Sequence, residues 1–255
     1  MQAEELLEHV LGHEVDEDEQ VSPAAQRRFV AAVERRATGE PLPYIVGWAE
    51  FRDMKLQVKP GGFIPRATTE FLAEQAIRRI RRRTKPVALD VACGIGPVAL
   101  AIAREVPKAE VHASDLSGPA TRLGKKNAAA LKLRNLTFHR GDLFGALPNA
   151  LKGRVDVIAA HPPYVARREV RDLPAELKDF EPEMSLTDSK DGLWLARRVI
   201  DEGIDEWLAP GGWLCMEVGS YLAREVRSLF TRAGYKDVAS TVGEMKYTRV
   251  IVGKA

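Results

Sequence analysis

The stretch VALDVACGIGPVALAIA, residues 87–103, constrains the fold more than any other part of the chain. A short apolar run of strand type passes through Gly94 and Gly96 directly into a helix-forming segment. Glycines at such a junction permit a tight turn and let a ligand approach the backbone closely. A dinucleotide-binding turn would carry a third glycine where Ala99 stands, so this one suits a smaller cofactor better than a pyrophosphate. Nineteen residues beyond Gly96 the next strand-like segment ends in Asp115, and the third leads to Gly141-Asp142. One such aspartate caps a turn as readily as it binds a ligand. Asp90, Asp115 and Asp142 recur over three successive strands, at the edge where open α/β sheets bind ligands.

Helical and strand-like segments alternate from Thr69 onward, which implies an α/β domain with a mainly parallel sheet. The pattern predicts helices near 69–83, 97–106, 118–132, 191–207 and 221–233, with strands at 87–91, 110–114, 136–139, 155–160 and 213–218. DVAST and TRVIVG then close the sheet with an antiparallel pair. Before this domain, residues 1–39 read as a helical appendage. Leu6, Leu7, Val10 and Leu11 have helical spacing, and a second helix opens at Ser22-Pro23 with Phe29, Val33 and Ala37 on one face. Residues 40–65 are rich in proline and glycine yet carry Trp48, Phe51, Met54, Leu56 and Val58, so they read as a hairpin linker turning at Arg52-Asp53. The α/β domain proper takes 66–255.

The 255 residues, 45% hydrophobic and 29% charged, suit a soluble globular protein. No apolar run approaches the ~20 residues needed to span a bilayer. The start, MQAEELLEHVLGHEVDEDEQ, is acidic where a secretory signal would be basic and then apolar, so a cytoplasmic location is expected. Cys93 and Cys215 stand far apart and the five histidines are scattered, which predicts neither a disulfide nor a metal site. The acidic run EVDEDE at 14–19 and the basic run RRIRRRTK at 78–85 read as solvated faces, the second favoured near a helix C-terminus, with contact to an acidic partner or RNA as its alternative. Trp48, Trp194, Trp207 and Trp213 read as packing residues.

The fourth strand ends in His161-Pro162-Pro163-Tyr164. Two consecutive prolines supply no backbone N–H and hold φ near −65°, leaving carbonyls that can accept from a donating substrate. Together with this motif, the three aspartates and the Gly94–Gly96 turn resemble the S-adenosylmethionine site of class I methyltransferases, which have a Rossmann-like sheet. In that resemblance Gly94 and Gly96 approach the methionine part, Asp115 takes the ribose hydroxyls and Asp142 accepts from the adenine amino group. Arg66, Asp90, Ala92, Cys93, Leu116, Leu143 and His161 complete the implied cofactor site.

More specifically, GEPLPYIVGWAEF, FIPRATTEFLAEQA, GDLF, PPYV, EPEMSL, DGLWLARRVI and LAPGGWLCMEVG resemble the release-factor glutamine methyltransferases, the PrmC/HemK family, over essentially the whole chain. The resemblance implies methylation of the side-chain nitrogen of the glutamine in a release factor's Gly-Gly-Gln loop. His161, Pro162, Pro163 and Tyr164 would then form the catalytic platform. The family has asparagine at position 161, glycine at position 92, a DLxGxxR pattern where GEMKYTR stands, and usually a further helix before AEELLEHVLG. A histidine could accept one amide N–H or act as a general base, so a small-molecule methyl acceptor is the alternative substrate. No strand-rich recognition module accompanies the domain, so a nucleic-acid substrate is not expected, and neither is a membrane partner. Arg66 and Glu70 are expected to line the site, or else to belong to a helix start capped by Thr68 or Thr69.

Overall fold

The computed structural model describes residues 2–16 and 20–255; residues 17–19, which complete the acidic run, lie outside the described residues. The chain begins with α1 (Gln2–Leu11), α2 (Pro23–Ala37) and α3 (Leu42–Val46), then a hairpin of β1 (Trp48–Phe51) and β2 (Met54–Gln57). Ser22 caps α2 by accepting from the Ala25 N–H, with Pro23 in the first turn where no N–H is required. The buried face of α2 carries Ala25 and Ala32 with Phe29, against Leu6, Ile45 and Val46 of its neighbours. Val33 is 40% exposed and Ala37 is also exposed, so the expected Phe29–Val33–Ala37 face is not the packed one. Both i+3 and i+4 steps from Phe29 lead to apolar residues, and the seating of α1 and α3 decides between them.

The hairpin turns through Arg52 and Asp53, both at positive φ, as two-residue hairpin turns require. It is fastened at both ends. Arg52 pairs with Glu105 and its N–H donates to Glu70, while the Asn127 side chain accepts from the Gln57 N–H at 2.9 Å and donates to the Gln57 carbonyl at 3.1 Å. Phe51, Met54 and Leu56 enter the same core as the helices that follow.

Then come α4 (Thr69–Ile80), β3 (Val87–Val91), α5 (Pro97–Glu105), β4 (Glu110–Asp115), α6 (Gly118–Ala130), β5 (Leu136–Arg140) and β6 (Val155–Ala160). The short helices α7 (Ala175–Lys178) and α8 (Glu183–Leu186) precede α9 (Trp194–Glu202), β7 (Leu208–Gly219), α10 (Ala223–Arg232), β8 (Lys236–Thr241) and β9 (Thr248–Lys254). The seven-stranded sheet has the order β5-β4-β3-β6-β7-β9-β8. Its pairs are parallel except those of β9, which runs antiparallel to β7 and β8. The connection from β8 to β9 is too short for a crossover, so the chain can only turn back.

One core layer packs α4, α5 and α6 with the hairpin on one face of the sheet, and a second packs α9 and α10 on the other. Strand order reverses between β3 and β6, opening a crevice beyond their carboxyl ends, the place where such sheets bind ligands. The helix expected over 191–207 begins only at Trp194 and ends at Glu202. A π-helical turn, Gly203–Trp207, follows it and buries Trp207 against Phe144.

Candidate active site

At that crevice lies a cavity of about 590 Å³. Its floor is the turn after β3. Asp90 is buried, and its carboxylate accepts from the Ala99 N–H at 3.0 Å, which fixes the start of α5. Burial pushes its pKa up to about 7, with the charge of Asp115 adding to the rise and the Ala99 N–H opposing it. Asp115, at the end of β4, accepts from the Gly94 N–H through one oxygen and from the Ser117 N–H through the other, both at 2.7 Å. Burial raises its pKa as well, against those two N–H groups. The carboxylate thus ties the first two loops together and still has lone pairs for a ligand. Leu116, 55% exposed, and Leu143 line the cavity beside it.

Of the expected cofactor residues, Arg66, Asp90, Ala92, Cys93, Gly94, Asp115, Leu116, Asp142, Leu143 and His161 all line this cavity. Gly96 does not. It holds φ +78° ahead of α5, and an added Cβ would lie 2.5 Å from the Phe138 ring, so it serves helix–sheet packing rather than ligand approach. Ala92 takes φ +57°, a left-handed conformation that glycine adopts without strain. Asp142 has both oxygens against the Arg198 guanidinium, at 2.8 and 3.1 Å. Arg66 lies over the Phe63 ring and pairs with the buried Glu181, which joins the IPR and EPEMSL segments. Glu70 faces the hairpin instead of the cavity, and Thr68 makes no side-chain cap.

The opposite wall is His161-Pro162-Pro163-Tyr164, which follows directly on β6. Among the described residues, no donor reaches the carbonyls of Pro162 or Pro163. The Tyr164 ring stacks on His161 at 5.6 Å, and Phe63 meets His161 edge-on at 6.0 Å. Burial, and then the charge of Glu217, push the Tyr164 phenol up to about 12, so it stays protonated near neutral pH. Beyond Tyr164 the chain continues along the cavity: Val165 forms an isolated parallel bridge with Thr187, its N–H donating to the Leu186 carbonyl at 3.1 Å, and Leu173, Leu177 and Met184 line the cavity. Asp188 holds this segment by accepting from the N–H groups of Lys190, Gly192 and Trp194.

Sequence reasoning missed Phe63, Thr69, Glu181 and Glu217. It also took Trp194 for a packing residue, whereas Trp194 lines the cavity. Thr69 Oγ1 lies 3.2 Å from His161 Nδ1. The signal for Glu217 was a single carboxylate inside the otherwise apolar WLCMEV strand.

This sheet, with its antiparallel β9 and a cavity at the β3–β6 reversal, defines the class I methyltransferase fold. A methyltransferase from Pyrococcus furiosus shares it with a TM-score of 0.57 at 16% identity, covering 90% of this chain and 98% of that one. The family model of the methyltransferase small domain matches residues 66–177, and that of the PrmC N-terminal domain matches residues 1–47. A release factor glutamine methyltransferase of Xylella fastidiosa is 37% identical over 257 residues, 99% of this chain and 92% of that protein. One of Bordetella pertussis is 37% identical over 248 residues, covering 94% and 89%. The chain belongs to the release factor glutamine methyltransferase family.

Proposed function

We propose that this protein transfers a methyl group from S-adenosylmethionine to the side-chain nitrogen of the glutamine in a release factor's Gly-Gly-Gln loop. The observation that carries the reading is the cavity wall opposite the cofactor half, where His161-Pro162-Pro163-Tyr164 offers acceptors and an aromatic surface. The donor set fits the cofactor: a carboxylate at the end of β4, apolar side chains at Leu116 and Leu143, and the glycine turn at Gly94. Asp115 would hold the ribose hydroxyls, Asp142 the adenine amino group, and the backbone around Ala92, Cys93 and Gly94, with Asp90 and Arg66, the methionine part. When bound, the sulfonium supplies an electrophilic methyl group.

A carboxamide nitrogen is a poor nucleophile because its lone pair is delocalised into the carbonyl. The protein's task is therefore to orient that nitrogen and to exclude water. Proline carbonyls accept its N–H bonds, the Tyr164 and Phe63 rings restrict its plane, and the segment carrying α7 and α8 shields the reaction from solvent. Positioning of this kind supplies a large share of an enzyme's acceleration. In this reading residues 1–39 and the 40–65 hairpin hold the protein substrate beside the 66–255 catalytic domain. A translation factor as substrate implies a cytoplasmic enzyme, and among the described residues no helix is long and apolar enough to cross a membrane.

The test is cofactor turnover, followed as release of S-adenosylhomocysteine. Intact release factor should stimulate it strongly, and a factor with its loop glutamine replaced should not. Equal stimulation by both, or turnover only with a small-molecule acceptor, would overturn the substrate assignment.

A further inference from the structure

Glu217 in β7 is fully buried, and among the described residues neither of its carboxylate oxygens has a hydrogen-bond partner. A buried carboxylate without a hydrogen-bond partner is costly, so its retention beside the site calls for a role. The neighbour it faces is His161, whose Nδ1 lies 3.5 Å from Oε2 and 3.2 Å from Thr69 Oγ1. Rings on two sides, Tyr164 stacked and Phe63 edge-on, fix the plane of that imidazole. Its second nitrogen, Nε2, bonds no group among the described residues, and His161 lines the cavity.

We propose that Glu217 is a positioning residue that holds His161 in its Nδ1–H form, so that Nε2 offers its lone pair to the substrate amide and takes the proton that the nitrogen loses. Were Nδ1 unprotonated, the Thr69 hydroxyl could donate to it, but its lone pair would still face the carboxylate oxygen at 3.5 Å; with Nδ1–H, the Thr69 oxygen accepts and the proton lies toward the carboxylate. Of the other charged or acidic groups nearby, Arg66 is engaged by Glu181, and the Tyr164 phenol stays protonated. The proposal rests on the methyl-transfer reading above. As the nitrogen lone pair forms the new N–CH₃ bond, the S–CH₃ bond breaks and its electrons stay on sulfur. The nitrogen then carries one proton too many; it passes to Nε2, and the imidazolium returns it to water. Position 161 thus combines acceptor and base, and the carboxylate behind it stabilises the cation that forms.

The experiment combines two readouts. The first is the tautomer of His161, read from long-range ¹H–¹⁵N spectra of the protein alone, assigned with His161→Asn. The second is kcat and KM for the release factor. The Nδ1–H form is expected in the wild type, with a shift toward the Nε2–H form in Glu217→Leu. That variant should fold as stably as the wild type or more so, because an apolar side chain replaces a buried charge. Its kcat should nevertheless fall about 100-fold, with KM nearly unchanged, and Glu217→Asp should recover part of the loss. In a His161→Asn background, Glu217→Leu should cost nothing further.

A wild type with its proton on Nε2, or a Glu217→Leu enzyme with wild-type tautomer and kcat, would overturn the proposal. If the tautomer behaves as expected but the wild type leaves release factor unmethylated, the substrate reading fails and the Glu217–His161 pairing stands.

Discussion

At Ala92 the backbone and the side chain disagree. A φ of +57° costs an alanine about 1–2 kcal/mol, while glycine there would add about 0.5–1 kcal/mol of chain entropy to the cost of folding. Ala92→Gly should therefore raise stability by up to about 1.5 kcal/mol, measured by urea unfolding; a loss would mean the turn is held by something other than backbone preference. Gly192 is the opposite case. It takes φ +81°, and a Cβ there would lie 2.4 Å from the Tyr164 carbonyl oxygen. Gly192→Ala should push Tyr164 away from His161 and lower kcat by 10-fold or more, on the order expected for a misplaced platform. An unchanged rate would show that Tyr164 does not need its observed position.

Asp90 makes the prediction about pH. Its folded pKa of about 7 lies above the ~3.9 of an unfolded chain, so between those values the folded state holds a proton that the unfolded state has released. Stability should consequently fall as pH rises through that window, by up to about 1.4 kcal/mol per pH unit from this group. Asp115, also raised by burial, acts in the same direction. Asp90→Asn keeps an acceptor for the Ala99 N–H and should flatten the slope of unfolding free energy between pH ~4 and ~7. A slope equal to that of the wild type would place the titration elsewhere.

Among the elements, the hairpin depends most on one side chain. Asn127 satisfies both the N–H and the carbonyl of Gln57 from α6, and it is 2% exposed. Asn127→Ala leaves those groups without a partner and should cost about 1–3 kcal/mol, seen as a lower denaturation midpoint. If the midpoint does not move, the core packing of Phe51, Met54 and Leu56 and the contacts of the turn with Glu70, Arg104 and Glu105 suffice to fasten the hairpin. The element pattern was readable wherever period and punctuation agreed: β3 and β6 fall where VALDV and VDVIAA place them, and α5 (Pro97–Glu105) falls within the helix expected near 97–106. The packed face of α2 was not readable, because Phe29 offers two helical stripes and only the neighbouring helices choose. The π-helical turn at Gly203–Trp207 was hidden too, since its residues continue the apolar period of α9.

On the scale of the whole molecule, the strand-end aspartates and the His161–Tyr164 motif pointed to a common edge of the sheet, and the fold brings them around one cavity. What sequence order conceals is contact across the sheet. Glu217 is distant in the chain from His161 and Thr69, and only the parallel pairing of β6 with β7 sets it behind the imidazole. The pairing of Arg66 with Glu181 likewise joins segments 115 residues apart in the chain.

The activity assigned to this cavity is methylation of a glutamine side chain. Its most direct test is the mass spectrum of the release-factor peptide that contains the Gly-Gly-Gln loop, taken after incubation with enzyme and S-adenosylmethionine and fragmented to locate the modification. One added methyl group is expected on the glutamine side-chain nitrogen, and none when His161 and Tyr164 are both replaced by alanine. An unmodified loop glutamine, with methyl transferred to another residue or to another molecule, would contradict it.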